Sequence, residues 1–289
     1  MDKADATGQL SVAMLNVQSL NAHHLDVTGD NVLIRAHLLI LCETWTARTV
    51  DIPGYRCVAH EKRGAQRAAG VAIYIQEMGH IALCTTRADL IFDNSMDPSV
   101  DARHIGDICA VYMRLECTPL LVVAVYVSPG HTHEAIKAFL RTRLWAHSKL
   151  PAQKQHFEGT HRTLADMPMI ITGDFNVNLR NGQNQWLPNF MRDLFGMSLA
   201  SESEVPTTRF GTALDHVFQR GLKNVEVLKY ASYFGVHRPL LCLVANASDD
   251  EGCHGDTQCA SGTSTTVERD RASHPGVTGD GKASTSAHQ

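Results

Sequence analysis

From about residue 9 to residue 247 the chain alternates short apolar runs, rich in Val, Ile and Leu, with glycine, proline and polar turn signals. The runs LSVAML (from Leu10), LLILCE (Leu38), GVAIYI (Gly70), DICAVYMRL (Asp107), LLVVAVYV (Leu120), MIITGDF (Met169), LDHVF (Leu214), VEVLKYASYF (Val225) and PLLCLV (Pro239) have the length and β-branched content of buried strands. Two segments have helical spacing instead: THEAIKAFLRTRLWAHSKL, opened by Thr132, and QWLPNFMRDLFGM, from Gln185. Residues 151–168 (PAQKQHFEGTHRTLADMP) show neither pattern and read as a surface loop. Many strands with intervening helices predict an α/β domain in which two mixed sheets pack face to face, flanked by helices.

The pattern stops at Ser248. Residues 248–289 are Ser, Thr, Gly, Asp and His with almost no large apolar side chains, the composition of a disordered polar tail. The tail takes Asp249, Asp250, Glu251, Asp256, Glu268, Asp270 and Asp280 against Arg269, Arg271 and Lys282. Subtracting these from the chain's 30 acidic and 26 basic residues leaves residues 1–247 formally neutral. Overall charge therefore gives no affinity for a polyanion, and any such binding must come from a local patch or a metal. The 8 cysteines have no CxxC pair or metal-finger spacing, and several lie within apolar runs, as expected in a reducing compartment. The 16 histidines contain no HExxH spacing. No run of about eighteen apolar residues is present, and the N-terminus lacks the pattern of a signal peptide. The expectation is a nuclear or cytoplasmic protein, neither secreted nor in a membrane.

Several predicted strands end in polar residues that a buried strand has no structural need for. In MIITGDFNVN, Asp174 and Asn176 lie two apart at a strand end, a spacing that turns a carboxylate and a carboxamide to one side. Glu43 ends LLILCE, where a buried carboxylate needs a cation or donors, and a hard divalent ion such as magnesium meets that need. Asn16 follows LSVAML, Tyr126 closes LLVVAVYV, Asp215 opens DHVF and His237 precedes PLLCLV. An imidazole held by a carboxylate keeps one tautomer and is stabilised when charged, which suits it to a phosphoryl oxygen or to proton transfer. Asp215 and His237 lie on neighbouring candidate strands, so that pairing is open to them. Each residue also has a plainer explanation: a Gly-Asp turn at Asp174, a solvated strand-end Glu43, a core aromatic at Tyr126.

Taken in order, LNVQSL, CETW, AGVAIYI, VYVSPG, GDFNV, LDHVF and HRP resemble the endonuclease/exonuclease/phosphatase superfamily over residues 9–245. Within it, PTTRFGTALDHVF resembles the apurinic-type endonuclease domains of non-LTR retrotransposons and Helitron-like mobile elements. The resemblance implies a four-layer α/β sandwich with the site at the top of two packed sheets. It also implies a magnesium-dependent endonuclease, with manganese as a substitute ion, that hydrolyses and nicks DNA as a monomer or within a larger mobile-element polyprotein. Glu43 would hold the metal with Asn16 beside it. Asp174 would activate the attacking water, and Asn176 would position water and phosphate. Asp215 would orient His237 on the phosphate, and Tyr126 would touch it too. Arg209 and Thr208 are the further substrate-binding candidates, and the basic, glycine-containing stretch His60 to Gly70 reads as a mobile DNA-facing loop or a solvated charge run.

Two departures from the family pattern stand out. Val236 occupies the position before the histidine where an Asp is usual, and Gln18 stands where an acidic residue is frequent. Both remove negative charge near the expected metal, which weakens or simplifies its binding. Two rival readings follow: a phosphatase or phosphodiesterase acting on a small or lipid phosphoester, and an inactive, decayed nuclease that serves as a binding module.

Overall fold

Each apolar run predicted as a strand contains one, although in VEVLKYASYF the strand stops at Lys229. The computed structural model describes residues 9–64, 66–78, 85–90, 104–115, 118–149 and 164–245. The predicted polar tail and most of the predicted loop 151–168 lie outside those residues. The chain divides into Met1–Asp250 and Glu251–Gln289, and the second unit is wholly outside them.

Among the described residues the strands form two six-stranded sheets. The first contains β1 (Leu10–Asn16), β2 (Leu38–Cys42), β3 (Tyr55–Glu61), β4 (Val71–Gln76), β11 (Val225–Lys229) and β12 (Leu240–Val244), in the order β11-β12-β1-β2-β4-β3. The second contains β5 (Thr86–Ala88), β6 (Gly106–Leu115), β7 (Thr118–Val127), β8 (Met169–Asp174), β9 (Ser198–Leu199) and β10 (Asp215–Arg220), in the order β5-β6-β7-β8-β10-β9. Both are mixed: β1 runs parallel to β2 and β7 to β8, whereas the other pairings are antiparallel.

Three apolar clusters produce the layering. One, around Val12, Ile40, Val122 and Val217, fills the space between the sheets. A second joins the outer face of the first sheet to α1 (Leu20–Gly29) through Leu20, Val27, Leu39 and Leu41. The third joins the second sheet to α2 (His133–Leu144) and α3 (Trp186–Phe195) through Val123, Ile171, Phe139, Met191 and Phe195. The result is the expected sandwich of helix, sheet, sheet and helix. Thr132 caps α2 by accepting from the Ala135 amide, and Gly196 ends α3 in the left-handed conformation.

The registers bring the polar strand ends to one level. Across the second sheet, Asp107 lies opposite Tyr126, Tyr126 opposite Asp174, and Asp174 opposite Asp215. Across the first, Asn16 lies opposite Cys42, the residue before Glu43. Gly173 makes the parallel β7–β8 approach possible, because a Cβ there would run into the Val125 backbone. One expectation needs correcting. Asp215 and His237 are not on neighbouring strands: β10 belongs to the second sheet, and His237 precedes β12 of the first. Their pairing spans the two sheets. An isolated bridge between Thr208 and His237 holds the histidine there.

Candidate active site

The site forms where the two sheets meet. Asp174 ends β8 fully buried, and its Oδ1 accepts the Asn176 amide at 2.9 Å. Its Oδ2 accepts from Asn16 Nδ2 at 2.8 Å, and the same amide nitrogen donates to Glu43 Oε1 at 2.8 Å. Asn16 is thus a strut between two carboxylates. Ionised carboxylates only accept, so the nitrogen faces them, while Asn16 Oδ1 takes the Gln18 amide at 3.2 Å. Asn16 therefore turns its nitrogen, not its oxygen, to the two carboxylates.

Glu43 sits at φ 52° and Trp45 at φ 56°, a left-handed backbone that is uncommon for such residues. Backbone hydrogen bonds hold the stretch from both sides: Ser19 and Leu20 donate to the Glu43 and Thr44 carbonyls, and Thr44 and Trp45 donate to Gly70 and Ala69. Glu43 Oε2 accepts from Trp45 Nε1 at 3.1 Å, and Tyr126 lies close to the same carboxylate. Burial, with Glu43 and Asp174 nearby, pushes the Tyr126 phenol far up, so it remains a neutral donor. Tyr126 is a buried wall of the site rather than a rim residue.

His237 completes the group. Its Nδ1 lies 2.9 Å from Asp215 Oδ2 and 3.2 Å from Oδ1, and its Nε2 lies 3.9 Å from Asp174 Oδ2. Burial alone would lower its pKa; the hydrogen-bonded charge of Asp215, helped by Asp174 and Glu43, outweighs this and raises it to about 9. The imidazolium donates Nδ1–H to Asp215 and turns Nε2–H toward Asp174. Asp174 is itself raised, by burial first and Asp215 second, against the pull of His237 and the two asparagine hydrogen bonds.

The donor set fits a hard divalent cation. Three carboxylates (Glu43, Asp174 and Asp215) are buried around a single imidazolium, and burial first, then the charge of Asp215, raises Asp174. Ligand atoms of Asp174, Asp215 and His237 lie within 4.8 Å of one another. Both Asp215 oxygens face Nδ1 of His237, whereas each Glu43 and Asp174 oxygen accepts one hydrogen bond and keeps a second lone pair for a cation.

A profile of the endonuclease/exonuclease/phosphatase family matches residues 13–249. The chain belongs to this family. No curated protein matches it. Among solved structures, the chain is similar to the endonuclease domain of TRAS1, a telomere-specific non-LTR retrotransposon, at 14% identity and a TM-score of 0.54, over 82% of this chain and 99% of that one. It is similar to the human Nocturnin catalytic domain at 13% identity and 0.58, over 81% and 92%. It is similar to the AP endonuclease LMAP from Leishmania major at 11% and 0.57, over 82% and 88%. These likenesses establish the fold. Enzymes of the family are hydrolytic phosphoesterases that generally depend on a divalent metal.

The remaining sequence candidates take varied places. Asn176, at φ 50°, anchors its side-chain nitrogen on the Val127 carbonyl at 2.7 Å, while its backbone amide holds Asp174. Thr208 is buried with its hydroxyl 2.7 Å from Thr212 Oγ1, so its part is to shape the turn that braces His237. Arg209 is exposed on that turn, and its amide bonds the Val236 carbonyl. Sequence reasoning missed Trp45 as a partner of Glu43; the signal was the indole two residues beyond the carboxylate in CETW. It also missed Asp107, whose role no neighbouring residue advertises.

Proposed function

We propose that the protein is a magnesium-dependent endonuclease that nicks one strand of DNA, derived from a mobile element and acting as a monomer in the nucleus or cytoplasm. The observation that carries this reading is the cross-sheet constellation itself. Asn16 ties Glu43 to Asp174, and Asp215 holds a charged His237 with Nε2 facing Asp174.

When bound at Glu43 and Asp174, a divalent cation would supply charge neutralisation and Lewis acidity toward a phosphate oxygen. The chain's own groups do the rest. Asp174 takes a proton from the attacking water as the general base. The Oδ1 of Asn176 orients that water. His237 Nε2–H donates to a non-bridging phosphate oxygen and stabilises the charge that builds as the water–phosphorus bond forms and the bond to the leaving oxygen breaks. Asp215 keeps the imidazole protonated and aimed.

The test is nicking of supercoiled plasmid by wild type, Glu43→Gln and His237→Ala, beside hydrolysis of soluble phosphomonoesters. Loss of nicking in both variants supports the reading. Folded variants that nick like wild type, or wild type that turns over the small esters and leaves plasmid intact, would overturn it.

A further inference from the structure

The basic stretch after β3 is not a free loop. Asp107, fully buried at the start of β6, binds both of its ends: Oδ1 accepts the Arg63 amide at 2.6 Å, and Oδ2 accepts the Gly70 amide at 2.8 Å. The Arg63 guanidinium stands 3.5 Å from the same carboxylate, bonds Ser128 Oγ and Gln66 Oε1, and stacks 5.5 Å above the Tyr126 ring. Arg67 stacks 5.3 Å above the Trp45 ring. One loop therefore caps both aromatic partners of Glu43 with guanidinium groups. The two arginines differ, however. Arg63 is nine-tenths buried and paired with Asp107 inside the protein, with Nη1 left without a hydrogen-bond partner. Arg67 is exposed, and among the described residues its charge meets no carboxylate.

We propose that this loop is a docking surface for the sugar–phosphate backbone flanking the cleaved bond, with Arg67 as the phosphate contact and Asp107 as the positioning residue that presents it. The proposal rests on the DNA reading above. A guanidinium stacked on an indole is weakly hydrated, already ordered and able to grip a phosphate with two N–H groups, so little freedom is lost on binding. A neutral protein domain has to gain polyanion affinity from such a local feature. Asp107→Asn retains one acceptor oxygen for two backbone donors and cancels the charge that faces Arg63, which frees one end of the loop.

Binding of a short fluorescein-labelled DNA duplex, followed by anisotropy in chelator over a range of salt, separates docking from hydrolysis. Arg67→Ala is expected to weaken binding about fivefold and to reduce the slope of log affinity against log salt by about 1, the signature of one lost phosphate contact. Asp107→Asn is expected to shift both in the same direction and, without DNA, to open the loop to trypsin at Lys62, Arg63 or Arg67. In nicking kinetics, both changes raise KM more than they lower kcat. An unchanged salt slope in Arg67→Ala, a wild-type trypsin pattern in Asp107→Asn, or wild type that binds no duplex would overturn the proposal. Duplex binding without nicking would sink the hydrolytic reading and leave this inference standing; nicking with an unaltered slope would do the reverse.

Discussion

Strand β10 begins at Asp215 and ends at Arg220, placing a buried anion at one end of the sandwich and a buried cation at the other. Four fixed backbone carbonyls satisfy the cation: Arg220 donates to Met167, His147, Phe195 and Leu164 at 2.6 to 3.1 Å. The anion is paired with a titratable imidazole and crowded by two further carboxylates. At the Arg220 end backbone carbonyls, which do not titrate, accept from the guanidinium, and that end reads as architecture. The Asp215 end is left short of positive charge, a condition a fold tolerates when a ligand completes it. Two histidines mark the contrast. His237 at the anionic end is raised to about 9, whereas burial, followed by the charge of Arg220, lowers His147 at the cationic end to about 4.

The largest effect expected is on catalysis. Asp174→Asn should slow nicking by about a thousandfold or more, as loss of a general base together with a metal oxygen does. Urea unfolding should show no loss of stability, because the replaced carboxylate was buried at a cost. A variant that both nicks and unfolds like wild type would erase the distinction between the two ends.

Arg220→Met tests the other end. It strands several buried carbonyls and should cost about 3 to 5 kcal/mol in urea unfolding. Arg220→Lys should also lose stability, since one ammonium cannot reach all four acceptors. An unchanged denaturation midpoint would show that the clamp contributes nothing.

A third effect depends on pH. His147 has a folded pKa near 4 against an ordinary value of 6.5, so the unfolded chain binds a proton between those values and the folded protein does not. Its contribution is complete above about pH 6.5 and falls away as pH drops toward 4, by on the order of 3 kcal/mol. His147→Gln should make stability fall less steeply across that window, the rest of the decline belonging to His216, which burial also lowers to about 4; an equally steep decline in the variant would contradict the assignment. The smallest effect is metal linkage. Magnesium at a hundredfold over its dissociation constant should stabilise wild type by about 2.7 kcal/mol, and the gain in thermal midpoint should shrink in Glu43→Gln. Equal gains in the two proteins would place the ion elsewhere.

Much of this organisation is legible in the sequence because apolar strands announce their ends. Asn16, Glu43, Asp174 and Asp215 each interrupt or open a run that burial alone would keep apolar, and the registers gather them at one level. Helix α1 is not legible: LNAHHLDVTG buries only Leu20 and Val27 and has no apolar stripe to betray it. Strand β3 escapes because YRCVAHE mixes charged residues into an incomplete alternation at the sheet edge. The cross-sheet pairing of His237 with Asp215 and the loop latch at Asp107 come from contacts between distant segments, which local pattern does not encode. The family motifs point to the first; the second emerges only in the folded chain.

The central claim is that the anionic end becomes a hydrolytic site when a divalent cation completes it. Supercoiled plasmid incubated with wild type and with Asp174→Ala, in magnesium and in chelator, tests it most directly. The account predicts open-circular product from wild type in magnesium, none in chelator, and product from Asp174→Ala at least about a thousandfold more slowly. Wild type that leaves plasmid intact with every divalent metal tried, or Asp174→Ala that nicks at the wild-type rate, would contradict it.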